Sequence, residues 1–424
     1  MEKTDSRYQL YINILKEELV PAMGCTEPIC LAYAAAKARE VLGTMPDRVE
    51  VLASGNIIKN VKSVIVPNTN GMKGIQAAAA VGIVAGDASK ALEVIANVTA
   101  EQKKETEKFL KTTPIQVKHV DTTEQLDVTI VAFKGEHRAE VRISGFHTNI
   151  VRIQKDEKIL FQCESISKPS KKLTDRSCLS IRGIVDFADS VDIADIKEVI
   201  GTQLKYNRNI SDEGLRNSWG ANIGSTLLKN CGCDVMTKAR ARAAAGSDAR
   251  MNGCELPVII NSGSGNQGLT VSMPVATYAE EYNIDDDRLY RALVVSNLTA
   301  IHQKTRIGRL SAYCGAVSAG CAAGCGIAYL LGEPVEVIEH TLINSVSTIS
   351  GIICDGAKSS CAAKIAASVE AGIMGYKMCK DGNNLESGDG IIGTDAEDTI
   401  KNVGLLGSIG MRSTDTEIID IMTK

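Results

Sequence analysis

The sequence predicts an α+β protein, with an N-terminal α+β domain built on an antiparallel sheet and a larger, mainly α-helical C-terminal domain. Three observations predict it. Between Ile115 and Phe161 apolar residues recur at every second position, the period of strands with one solvated face. Before that stretch, and again from about Ser190 onward, apolar residues recur at helical spacing between glycine breaks. The 424 residues, 44% hydrophobic and 23% charged, supply a sizeable core for two or more domains. The expected boundaries are 1–165 for the first domain, 166–189 for a linker and 190–424 for the helical domain.

The elements follow in order. Tyr8 to Val20 has helical spacing and ends at Pro21. A second helix starts near Glu27-Pro28, because proline is tolerated in a first turn, and runs to Gly43. Val49 to Leu52 and Val61 to Val66 are short β-branched runs that read as strands. Gly74 to Ala85 reads as an Ala-rich helix, and Lys90 to Lys111 as a charged one. In the alternating region, Lys134-Gly135-Glu136 and Lys155-Asp156-Glu157 mark turns of an antiparallel meander. Glu164 to Ser177, rich in Ser and Lys, reads as linker. Beyond Ser190 the only strand-like run is Leu256 to Asn261.

Composition excludes several function classes. The chain has 47 basic and 51 acidic side chains and no long block of like charge, which argues against nucleic-acid or anionic-membrane partners. Leu310 to Gly332 carries no charge but consists mainly of Ala, Gly, Ser and Cys, so it reads as a buried helix rather than a membrane span. Thirteen cysteines, an odd number, follow a charged N-terminus without an apolar signal core. They read as free thiols or metal ligands in a reducing cytoplasm.

Gly263-Ser264-Gly265-Asn266-Gln267-Gly268 matches a dinucleotide fingerprint, but Pro274 should interrupt the helix and no second strand ending in an acid follows. The segment reads instead as a glycine-rich loop beside a small-ligand site, its backbone N–H groups suited to a carboxylate. No two histidines share metal spacing, and His147 reads as structural. Cys231-Gly232-Cys233 lacks a zinc-knuckle spacer and reads as buried packing. Cys321 and Cys325, four apart in an Ala/Gly helix, read as small apolar side chains. A helix sets residues seven apart about 10.5 Å from each other along its axis, so Cys314 and Cys321 are poor joint ligands. Gly356 can break the helix between Cys354 and Cys361 and let that pair meet around zinc or an iron–sulfur cluster. Cys25 sits in a tight connection before a helix, where thiolate is favoured.

Three segments carry a resemblance: Pro21-Ala22-Met23-Gly24-Cys25-Thr26-Glu27-Pro28, Gly246-Ser247-Asp248-Ala249-Arg250-Met251, and Cys354-Asp355-Gly356-Ala357-Lys358-Ser359-Ser360-Cys361. They resemble the oxygen-sensitive L-cysteine desulfidases and their bacterial relatives, over nearly the whole chain. More distantly, the chain is similar to the iron–sulfur L-serine dehydratases. The resemblance implies a [4Fe–4S] cluster held by Cys314, Cys354 and Cys361, with Cys25 at the position of the proton acceptor. It implies β-elimination of L-cysteine to pyruvate, ammonia and sulfide. Against the serine dehydratases, the last two ligands lie closer together and Cys25 replaces a histidine, which puts serine in doubt as the preferred substrate.

On this reading the substrate carboxylate meets backbone donors at Ser264, Gly265 and Asn266, or one of Arg240, Arg242 and Arg250, although arginines on an Ala-rich helix are usually solvated. Two other functions fit the same residues: serine dehydration by the same mechanism, and non-catalytic amino-acid binding or cluster sensing. Cys25 could also be a fourth ligand that substrate displaces. The expected partner is a small amino acid, and the reading is compatible with a homo-oligomer.

Overall fold

Asp5 accepts a hydrogen bond from the Arg7 N–H and so starts α1 (Ser6–Glu18), whose tyrosines face inward. The computed structural model describes residues 1–122, 124–163, 173–308 and 310–423. After α1 come β1 (Pro21–Met23), α2 (Thr26–Leu42), closed by Gly43 at φ +84°, and β2 (Arg48–Ala53). Then follow α3 (Gly55–Val61), α4 (Gly74–Ala85) and α5 (Ala100–Thr112). Two expectations fail here. Residues 61–66 form no strand, because the chain up to Val61 is helical and packs beside α2. The charged helix begins at 100, not 90: Thr99 and Gln102 form a capping box that fixes the start, and a 3₁₀ turn covers Ala88–Glu93.

The strands β3 (Ile115–His119), β4 (Asp127–Lys134), β5 (His137–Ser144), β6 (Ile150–Lys155) and β7 (Lys158–Gln162) join β2 in a six-stranded sheet of order β3-β2-β4-β5-β6-β7. β4 to β7 form the antiparallel meander that the alternation predicts. β3 lies outside it and pairs parallel with β2. Val49, Val51, Val128, Ile130, Val141 and Ile143 are fully buried on the face that α2 and α4 cover. A Cβ on Gly82 of α4 would lie 2.3 Å from the Ala32 carbonyl of α2, so these helices approach at backbone distance and need small residues at their crossing.

The helical part begins earlier than expected. Residues 164–172 of the predicted linker lie outside the described residues, and Ile181–Ser190 forms a helix, α6. Phe187 of α6 is fully buried and takes edge-to-face contacts from Tyr8 and Tyr11, so an apolar stripe docks where linker was expected. The chain continues through α7 (Ile193–Arg216), α8 (Ile223–Asn230), α9 (Val235–Met251) and β8 (Pro257–Ile259). Next are α10 (Gly265–Glu281), α11 (Asp286–Ile307), α12 (Gly315–Leu330), α13 (Val335–Ile349) and α14 (Cys361–Lys380). A helix α15 (Ala396–Leu405), a π turn at Leu406–Gly410 and α16 (Arg412–Thr423) end it.

Glycine sets the packing of this bundle. A Cβ on Gly320 of α12 would fall 2.4 Å from the Ser368 backbone of α14, and one on Gly372 of α14 only 2.1 Å from the Gly320 carbonyl. Cys321 and Cys325 are fully buried on α12, as their setting predicts. Cys231 and Cys233 are exposed, contrary to expectation, because they occupy the turn between α8 and α9. Among the described residues no helix is long and apolar enough to cross a membrane.

Candidate active site

The strand β1 pairs antiparallel with β8, Pro21 opposite Ile259 and Met23 opposite Pro257. This short ladder carries the N-terminal connection across to residues more than 230 positions away. The Thr26 hydroxyl donates to the Gly263 carbonyl at 2.9 Å and holds the two turns together. A buried amide network of Gln203, Asn297 and Asn261 anchors the second turn from below. Ser262 and Gly263 both take positive φ there, which turns the chain from β8 into α10.

The expected loop at 263–268 is therefore half turn and half helix. α10 starts at Gly265 and continues through Pro274, which bends no boundary into it, so the expected interruption is absent. The glycines serve packing. A Cβ on Gly265 would meet Arg250 Nε at 2.3 Å, and one on Gly268 the Ile259 carbonyl at 2.0 Å. β8 belongs to a two-stranded antiparallel sheet, so the strand–helix–strand setting of a dinucleotide fingerprint does not exist here.

A second close approach assembles the cysteines. Tyr313 and Ile353 form an antiparallel bridge, with the Cys314 N–H donating to Ile352 at 3.1 Å and the Cys354 N–H to Ala312 at 2.6 Å. This brings together residues 40 apart. Gly356, at φ +94°, turns the chain back toward Cys361 at the start of α14, and a Cβ there would stand 2.3 Å from the Lys59 carbonyl of α3.

These segments enclose a cavity of about 100 Å³ lined by Cys25, Ser264, Asn266, Cys314, Cys354 and Cys361. Gly265 lies between Ser264 and Asn266, against Arg250. The helices α2, α10, α12 and α14 all begin at this cavity, Cys25 and Cys314 standing at N-cap positions. Four helix N-termini converging on one cavity make it attractive to anions, although the first N–H groups of α14 already donate to Lys358 and Ser359.

Four lining residues were missed or discounted in the sequence. Arg250 is 2% exposed rather than solvated, and donates to Asn266 Oδ1 at 3.1 Å. Burial draws its pKa down, while Cys25, Glu27 and Cys361 oppose that shift. Lys59, also 2% exposed, pairs with Asp415 of α16. Glu27 accepts from the Cys25 thiol at 2.9 Å through Oε2 and from Asn60 Nδ2 at 3.2 Å through Oε1. His147, read as structural, lines the cavity with Nε2 3.8 Å from Glu27 Oε1. Arg250 lay inside a segment already singled out by resemblance. Lys59 was hidden by the strand reading of its neighbours.

The electrostatics correct one expectation outright. Burial and the Glu27 carboxylate push the Cys25 thiol well above its ordinary pKa, and the opposing pull of Arg250 is weaker. Cys25 is thus a thiol here, despite its helix N-terminus. Burial also opposes ionisation of Glu27, but His147 and the Cys25 thiol outweigh it and hold that carboxyl at about 2. Among the three other cysteines, the Cys314 thiol donates to Cys354 and is itself raised. That bond, with Lys59, the Gly356 N–H and Lys364 working against burial, brings Cys354 down to about 6. Cys361 is raised, chiefly by burial.

Among the described residues no three His, Cys, Asp or Glu side chains close round one point as ligands of a single ion do. Ligands of a multi-iron cluster need not, since each binds a different iron. A donor set of thiols beside lysines and helix N-termini fits an anionic cysteine-ligated cluster better than a hard cation.

Similar proteins and a family profile both match the chain over most of its length. A UPF0597 protein of Desulfitobacterium hafniense is 55% identical over 100% of this chain and 98% of its own length. UPF0597 proteins of Lachnoclostridium phytofermentans and Treponema denticola are 52% and 46% identical, over 98% and 100% of this chain and 99% and 100% of their own. The sequence profile for the serine dehydratase alpha chain matches residues 89–420. With its cavity at the meeting of four helix starts and that match across most of its length, the chain belongs to the serine dehydratase alpha chain family.

Proposed function

We propose that this protein is an iron–sulfur-dependent lyase that eliminates the β-substituent of L-cysteine, giving pyruvate, ammonia and sulfide. The observation that carries the reading is that Cys25, Arg250 and three further cysteines, drawn from distant segments, line one small cavity. Cys314, Cys354 and Cys361 would hold the cluster. When bound, a [4Fe–4S] cluster with one iron free of protein ligands supplies Lewis acidity toward a β-thiol or β-hydroxyl leaving group.

The chain's own groups do the rest. Arg250 and the first N–H groups of α10 hold the substrate carboxylate, the arginine through a planar fork. Its Nε and the Gln267 Oε1 are buried without a partner among the described residues, which suits groups that pair with a ligand. Cys25, as thiolate, takes the Cα proton, and Glu27 holds the sulfur in place beforehand. Loss of the Cα proton and of hydrosulfide leaves aminoacrylate, which tautomerises to an imine and takes up water to yield pyruvate and ammonia.

Serine is the second reading, favoured by the family match. A thiol in place of a histidine at the base position favours cysteine. Anaerobic reconstitution with iron and sulfide, followed by assays of pyruvate from L-cysteine and L-serine, tests both. The expected result is pyruvate from cysteine with equimolar sulfide. Pyruvate from serine alone selects the second reading, and a loaded protein that turns over neither amino acid refutes both.

A further inference from the structure

Cys25 cannot act as a base in the state described above, since its sulfur carries a proton and donates it to Glu27. That proton needs a destination. Glu27 Oε1 faces His147, whose ring is 6% exposed and whose Nε2 has no hydrogen-bond partner among the described residues. The separation is 3.8 Å, so a movement of about 0.6 Å brings the pair within hydrogen-bond reach.

His147 also borders a second space. Beyond it lies an outer cavity of about 480 Å³, and His147 and Gly263 line both cavities. The outer one is walled by Lys16, Glu17 and Glu18 of α1, with Glu17 and Glu18 each paired to Arg176. His147 therefore stands between the site and a chamber large enough for water.

We propose that His147 is the proton acceptor that makes Cys25 a base, working through Glu27 and discharging into the outer cavity. The inference rests on the reading of Cys25 as base. The proton leaves Cys25 Sγ for Glu27 Oε2. Rotation of the carboxyl presents it to His147 Nε2, which takes it on its lone pair. One S–H bond breaks and one N–H bond forms, leaving a thiolate, the restored Glu27 carboxylate and an imidazolium paired with it. The imidazolium loses a proton to water in the outer cavity, and proton exchange with that water restores the tautomer whose Nε2 is unprotonated. The thiolate takes the Cα proton during elimination, and the relay clears it again. The charged and titratable groups facing His147 are Glu27 and Cys25 on the inner side, with Arg250 behind them, and Lys16, Glu17 and Glu18 on the outer side.

The test uses the reconstituted holoenzyme. His147→Ala should keep its iron, lose about 10²-fold in kcat, and shift its pH–rate profile upward. Imidazole entering from the outer cavity should restore turnover in His147→Ala but not in Glu27→Gln. Independently of activity, thiolate absorbance of the cluster-free protein, taken as a difference against Cys25→Ala, should move to higher pH in His147→Ala and in the conservative His147→Gln. An unchanged rate and profile in His147→Ala, beside an inactive Cys25→Ala, overturns the relay and leaves the base assignment standing. Lost activity that imidazole does not restore, with Cys25 ionising as in the wild type, also overturns it. A fully active, iron-loaded Cys25→Ala overturns the base reading itself.

Discussion

Replacing Gly356 by alanine tests whether the Cys354–Cys361 turn exists to place thiols. Two costs are set by its geometry. At φ +94° a residue with a Cβ sits outside its comfortable backbone regions, which costs about 1–3 kcal/mol. The new Cβ would also stand 2.3 Å from the Lys59 carbonyl, a backbone atom that cannot rotate away, and overpacking of this kind costs about 1–3 kcal/mol more. Together these reach about 2–6 kcal/mol if nothing moves. The turn lies at the rim of the fold, with Cys354 and Cys361 only half-buried, so it should yield instead and carry the two sulfurs off α3. Gly356→Ala should therefore melt within a few degrees of the wild type yet bind substantially less iron after anaerobic reconstitution. Gly351→Ala is the control, because its Cβ would meet nothing within 4 Å. Iron per chain, measured beside thermal melts, reads both effects. Equal iron loading in Gly356→Ala and wild type would refute the reasoning.

Cys25→Ala should retain iron and lose about two to four orders of magnitude in rate, with Cys25→Ser little better, since a hydroxyl is a weak base; loss of iron in Cys25→Ala would instead mark it as a ligand. Asp415→Asn leaves the buried Lys59 ammonium without its carboxylate and should destabilise the chain by about 3–5 kcal/mol in denaturant titrations. Asp248 is raised from 3.8 to about 6, mainly by burial, so the folded state binds more protons than the unfolded one between those values. Stability should fall as pH rises from about 4 to 6, and Asp248→Asn, which still offers an oxygen to the Gly224 N–H, should remove that fall.

Much of the fold was legible where one physical signal dominated. The alternation in Val128–Ile130–Ala132 and Ala139–Val141–Ile143 marks strands because these residues share the face under α2, although in β4 the opposite face, with Asp127, Thr129 and Val131, is buried too. The signal fails where two pressures compete. Val61–Val66 is β-branched, yet the chain from Gly55 to Val61 is helical, which lets Ile57 and Val61 both reach the core. Pro274 ought to end α10, but that helix is buried along most of its length and its packing outweighs one lost backbone bond. At the site, residue types were readable while environment was not. Nothing local to Arg250 distinguishes it from Arg240 and Arg242, which reach Glu370 and Glu280 near the surface. Its guanidinium lies instead against Gly265, beside Asn266, in the interior.

Cys25 shows why position along a helix does not by itself set a thiol's state. A helix start favours thiolate when solvent or a cation shares the field. Here Cys25 is 3% exposed and the nearest charge is the Glu27 carboxylate on the same helix, so burial first and that carboxylate second hold the thiol well above its ordinary pKa. Cys354 is the converse. It stands at no helix start, yet Lys59, Lys364, the Gly356 N–H and the Cys314 thiol surround it and favour its ionisation. The cavity thus keeps one sulfur protonated beside a carboxylate and another primed for ionisation beside two lysines. On the proposed reading the division separates two roles: the sulfur primed for ionisation suits iron, and the protonated one must first give up its proton before it can receive another.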